Sequence, residues 1–207
     1  MDPVTPTPTP TSARQTLRAL VCPPSRADAR RNYDALLAAA GEVFGAAGPD
    51  ASLDEIARRA GVGNATLYRH FPTRRDLVVA VCVDDVEMLC ELGERLRSSG
   101  QPGQALARWL SAYVEHVSSR QGLGAAMMTG RPEDSALVTA CREAIAGVGV
   151  DLLEPAQRAG EVRGDVELAD LLRLASAVAT ATESDHMDGK DSAARLLEIV
   201  LHGIVRR

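Results

Sequence analysis

Within the seven residues from Asn64 to His70 the chain places Asn64, Ala65, Thr66, Tyr68, Arg69 and His70, the side-chain types that read and hold nucleic acid. Arg69 can bond a guanine edge through two N–H groups, and Ala65 or the Thr66 methyl can meet a thymine methyl in the major groove. Such chemistry needs a short rigid probe held clear of the body. The flanking residues predict one. Ser52 followed by Glu55 is a capping box, each side chain satisfying a backbone N–H at a helix start. Leu53, Ile56, Ala57 and Ala60 follow at helical spacing, and Gly61 stops the helix where a left-handed conformation is needed. A second helix over Asn64–His70 turns Leu67 and Phe71 inward. Two short helices around one tight turn are a helix-turn-helix.

The run Gly61-Val-Gly-Asn-Ala-Thr-Leu-Tyr-Arg-His-Phe-Pro-Thr-Arg-Arg-Asp-Leu77 resembles the signature of the tetracycline-repressor (TetR) family of one-component transcription regulators, with the match carried by residues 30 to about 80. In that family the core reads A-G-V-S-x-x-T-L-Y-x-H-F and runs into F-x-S-K-x-x-L. Thr73 and Arg74 stand for serine and lysine and keep their chemistry. Gly63 replaces the serine that caps the recognition helix, and Asn64 is the residue left to take over as cap. The resemblance implies that Tyr68, His70 and Arg74 hold phosphates, assisted by backbone N–H groups at the helix start capped by Thr73. A scaffold role is the lesser alternative for Tyr68 and for His70. Arg26, Arg30 and Arg31, with Arg14 and Arg18, suit either an arm that reaches flanking phosphates or a minor groove, or a solvated tail. The expected nucleic-acid partner is a double-stranded DNA operator.

Charge is divided along the chain in a way that suits this partner. The net charge is −5, yet residues 14–75 hold ten arginines against six acids, and residues 76–207 hold thirteen basic against twenty-one acidic residues. A basic head can neutralise phosphates while an acidic body avoids wrapping nucleic acid. Of 207 residues, 45% are hydrophobic and 3% aromatic, so the core must be mostly Ala, Leu and Val, which suits helices. No run approaches the roughly 18 apolar residues of a membrane span, and no basic-then-apolar signal opens the chain. A cytoplasmic protein without a membrane partner is expected.

The organisation expected is all-α: an N-terminal three-helix helix-turn-helix domain joined by a long helix to a C-terminal helical ligand-binding and dimerisation domain. Residues 1–27, opening on Thr-Pro repeats, read as a flexible extension; 28–75 as the DNA-binding domain; 76–207 as the regulatory and dimerisation domain. Asp28 can cap a helix running to Ala47. Thr73 and Asp76 form a second capping box at the start of a helix reaching about Arg97. Further helices are read at about 104–119, 122–129, 133–159, 167–184 and 191–205, nine or ten in all. The last two, with Leu171, Leu174, Val178, Leu197, Ile199 and Val200, carry surplus apolar surface. The resemblance makes them the interface of a homodimer.

On the effector side, the resemblance places Trp109, Tyr113, His116, Met127 and Met128 on helices that surround a small-molecule cavity, where Met suits loosely specified apolar ligands. On their own such positions also read as core. The run Glu183, Asp185, His186, Asp188 has metal-ligand types in a polar loop that reads as solvated, so no metal and no cofactor is expected. Cys22, Cys82, Cys90 and Cys141 have no metal or disulfide spacing. The chain contains no nucleophile elbow, P-loop or dinucleotide fingerprint, so an enzyme is not expected. The expected function is a repressor released by a small organic effector, with a ligand-independent DNA-binding regulator as the alternative.

Overall fold

The computed structural model describes residues 14, 15, 17, 19, 21, 23–119, 132–182 and 189–204. Among these the regular elements are eight helices: α1 Ala27–Ala47, α2 Leu53–Arg59, α3 Asn64–His70, α4 Arg74–Arg97, α5 Pro102–Ser119, α6 Pro132–Arg158, α7 Leu168–Ala181 and α8 Gly189–Ile204. The expected helix at 122–129 lies outside the described residues, as do the Thr-Pro repeats.

The head is built on α1, which packs against α2, α3 and α4, with α2 and α3 against each other. Its core follows the predicted periodicity. Tyr33, Leu36, Leu37, Ala40, Val43 and Phe44 of α1 are buried, and they meet Ile56, Ala57, Leu67, Phe71, Leu77 and Val81. The Tyr33 and Phe71 rings lie 5.0 Å apart. One local expectation fails at the start of α1. Arg26 is the N-cap and makes no side-chain cap, while Asp28 lies in the first turn and pairs with Arg31. An acid within the first turn still meets the positive end of the helix dipole, so the start survives without a cap.

α4 is the beam shared by both halves. The Thr73 hydroxyl accepts from the Asp76 N–H at 3.2 Å, and the Asp76 carboxylate accepts from the Thr73 N–H at 2.9 Å, so the predicted capping box is complete. Beyond Val83 the helix enters the body, where α5 and α6 pack along it, α7 lies on α5 and α6, and α8 lies on α7 and α5. Close approach of α4, α5 and α6 depends on two glycines. A Cβ on Gly93 would come within 2.1 Å of the Val148 side chain and 3.2 Å of Trp109, and one on Gly149 within 2.7 Å of Leu168 and 3.0 Å of Trp109.

Part of the segment before α1 packs on the rest of the protein. Arg14, Gln15, Leu17 and Ala19 are helical, Leu17 is fully buried, and Arg14 forms an ion pair with Glu94 on the body half of α4.

Candidate nucleic-acid interface

The turn between α2 and α3 is built by backbone hydrogen bonds. Gly61 has φ +68°, its N–H donates to Arg58 O at 3.2 Å, and the Val62 N–H donates to Ala57 O at 3.0 Å. This is the paired closure of a Schellman motif, which satisfies carbonyls at the end of α2 and aims the chain into α3. At the other end of α2 the Ser52 hydroxyl accepts from the Glu55 N–H at 3.4 Å. The reciprocal half of that box is replaced. Glu55 instead takes bonds from Arg58 at 2.8 Å and Arg59 at 2.7 Å, which hold its carboxyl down at about 2. The two guanidiniums thereby lose part of their reach for phosphates.

α3 has the predicted bounds, with Gly63 as N-cap and no side-chain cap. Asn64 does not take over that role. Its Nδ2 donates to Asp54 Oδ1 on α2 at 2.6 Å. Glycine suffices because it adopts the extended cap conformation, φ −76° and ψ 152°, and its carbonyl accepts from Thr66 N at 2.8 Å. Leu67 and Phe71 anchor the helix in the head core, and Asn64, Ala65, Tyr68 and Arg69 are exposed on its outer side. Tyr68 keeps 48% of its surface, unusual for an aromatic residue of an isolated protein. Arg69 Nη2 donates to Thr66 Oγ1 at 3.2 Å, joining two candidate base readers on one face.

His70 is half-buried, edge-on to Tyr33 at 6.1 Å between ring centres. Burial, with the neighbouring Arg69 charge second, pushes its pKa below the usual 6.5, so the ring is neutral at physiological pH. It serves the aromatic cluster of the head first.

Three residues the sequence offered as DNA contacts have other engagements. Arg74 is half-buried, and its Nη1 donates to Pro49 O at 3.0 Å and Ala51 O at 2.5 Å, tying the loop before α2 to the start of α4. At the N-terminus of α4 the Asp76 carboxylate already occupies the place that an anion would take beside Thr73. Arg30 Nε is held by Asp34 at 2.9 Å, and its charge acts on Asp84 of α4, which aligns it with the α1–α4 side of the head.

In the body, Trp109 is fully buried, and its Nε1 donates to Leu89 O at 3.2 Å. With Gly93 and Gly149 against the indole, it is a packing wedge. Tyr113 stacks on it at 6.1 Å, is half-buried, and shares a hydrogen bond of 3.0 Å with Ser176 of α7. His116 continues the row at 6.5 Å from Tyr113. Met127 and Met128 lie outside the described residues, as does the run from Glu183 to Asp188. Burial raises the thiols of Cys90 and Cys141 to about 11, making them inert at neutral pH.

A helix-turn-helix with an exposed second helix, carried on a long beam into a separate helical body, defines a DNA-binding transcription regulator. Two family models match: bacterial regulatory proteins of the tetR family over residues 36–81, and the C-terminal domain of SbtR-like transcriptional regulators over 101–206. The chain belongs to the TetR family. It is similar to a TetR transcriptional regulator of Streptomyces coelicolor at 33% identity, covering 83% of this chain and 97% of that one, with a TM-score of 0.70. A TetR regulatory protein of Mycobacterium vanbaalenii is also 33% identical, over 88% of this chain and all of that one, with a TM-score of 0.71. The transcriptional activator FasR of Mycolicibacterium smegmatis is 37% identical over 92 residues, 44% of this chain and 41% of that protein. The match thus spans about two fifths of the length of this curated relative. No helix among the described residues is long and apolar enough to cross a membrane.

Proposed function

We propose that the protein is a homodimeric, cytoplasmic regulator that binds a pseudo-palindromic operator in double-stranded DNA and is released by a small organic effector. The observation that carries this reading is the continuity of α4, which is capped in the head at Thr73 and packed against Trp109 in the body. A ligand that favours one setting of α4 changes the spacing of two recognition helices in a dimer, and it shifts the equilibrium only by its differential affinity for the two settings. Leu174 and Ile199 support the dimer: they are 46% and 63% exposed on the two C-terminal helices.

For the effector, Tyr113 and His116 are the residues placed to meet a ligand beside the α5–α7 contact, while Trp109 serves as a reporter of their packing. Similarly folded proteins include a FadR crystallised with stearoyl-CoA, at 17% identity, and a gamma-butyrolactone receptor, at 22%. The charge pattern favours a ligand of low charge. Arg163 and Arg173 are already paired with Asp165 and Asp170, and the other described arginines of the body are spread singly. Repression is the proposed sign of regulation; the FasR relative is named as an activator. Titration of Trp109 fluorescence with neutral lactones and with long-chain acyl-CoA, in parallel with release of bound DNA, tests this. Neutral compounds should both change the emission and release DNA. Release by acyl-CoA alone would overturn the low-charge effector, and release by neither would favour a ligand-independent regulator.

A further inference from the structure

Asn64 is the first residue of α3 and Asp54 lies in the first turn of α2, ten residues apart in sequence but joined by a 2.6 Å hydrogen bond. A carboxylate has no proton to give, so the group of Asn64 that faces it must be the amide nitrogen. The Asn64 carbonyl oxygen is therefore turned away from Asp54, at the end of the helix that enters the groove. Both residues are exposed. Asp54 thus holds a carboxylate against the start of the reading helix, on a face proposed to meet polyanionic DNA.

We propose that Asp54 is a specificity-determining residue of the DNA interface, acting with Asn64 as a corner that presents acceptors to the major groove. This rests on the reading of α3 as the groove-entering helix. Bases differ there in the sign of what they offer. Cytosine N4 and adenine N6 carry amino donors, whereas guanine shows only N7 and O6 acceptors. An acceptor corner bonds the amino-bearing bases and leaves guanine facing unpaired oxygens. The same carboxylate repels phosphates, so it lowers affinity for all DNA while sharpening choice, a form of discrimination through an unfavourable element.

The test is selection from a random duplex library with full-length wild type, Asp54→Asn, Asp54→Ala and Asn64→Ala, followed by binding isotherms on single-base variants of the selected site. Wild type should reject guanine at one position of each half-site by about tenfold. Asp54→Asn and Asp54→Ala should lose that rejection and bind unselected DNA more tightly, and Asn64→Ala should lose preference at the same position. A merely structural Asp54 would instead lower affinity for every sequence alike, and that result overturns the proposal, as does an unchanged preference in Asp54→Asn. If wild type enriches no sequence at all, the regulator reading itself fails, which separates that failure from this one.

Discussion

Arg74 donates through Nη1 to the Pro49 carbonyl oxygen at 3.0 Å, across 25 residues of chain. The bond closes the head around α2 and α3 by tying the loop that precedes them to the helix that follows them. Arg74→Ala removes this tie and leaves the carbonyls of Pro49 and Ala51 without their donor. It should cost about 1–2 kcal/mol of stability, read by denaturant unfolding, with only a small change in the salt dependence of DNA binding. A pure phosphate contact would show the reverse: unchanged stability and a salt slope shallower by about one.

A Cβ at Gly93 would lie 2.1 Å from Val148 Cγ1, a short branched side chain with little room to move, whereas at Gly149 the nearest atoms are the mobile methyl ends of Leu168. Gly93→Ala should destabilise the body by about 1–3 kcal/mol, the usual cost of overpacking. Thermal unfolding followed by Trp109 emission reports it directly. An unaltered melting temperature would show that the body yields easily at this contact.

His70 contributes a loss of stability in the head as the pH falls below neutrality. Its folded pKa lies below 6.5 because burial disfavours the charged ring. Above that pH both folded and unfolded forms are neutral and the residue contributes no pH dependence. As pH falls through 6.5 the unfolded chain takes up a proton that the folded one resists, so stability declines with acidity. His70→Gln should flatten unfolding free energy between pH 7 and 5.5, and an equal decline in both proteins would assign the effect to other groups.

Legibility in the sequence followed the range of the interaction. The bounds of α3, the Thr73–Asp76 box and the Gly61 turn were readable because each depends on residues within four positions of one another. What escaped depends on partners far along the chain. Arg74 matches a family position for phosphate, yet Pro49 and Ala51, more than twenty residues earlier, engage it. Asn64 has the side-chain type of a cap, yet its amide is engaged by Asp54, ten residues earlier. Trp109 is met by glycines on two other helices, a convergence that nothing local in the sequence indicates. In α8 the periodicity gave an apolar face without saying which part faces inward: Leu197 is buried within the protomer, whereas Ile199 is left exposed.

That division decides where a dimer can be broken. Ile199→Glu together with Leu174→Glu places charges on surface that one protomer leaves open, so the fold should persist while the dimer dissociates, because neither carboxylate would find a partner in an apolar interface. Sedimentation velocity with circular dichroism measures both. A folded variant that stays dimeric would move the interface off these helices. Leu197→Glu, by contrast, should unfold the body.

Reading of a defined DNA sequence by α3 is the central proposal. Isotherms for wild type and Arg69→Ala, measured at one salt concentration on the selected operator, on single-base variants and on scrambled duplex, test it. Wild type should prefer operator over scrambled DNA by roughly 10³-fold or more. Arg69→Ala should lose about 1–3 kcal/mol on the operator and relax choice at one base pair per half-site. Equal affinity of wild type for operator and scrambled duplex, or an Arg69→Ala loss that is the same on every sequence, would contradict it.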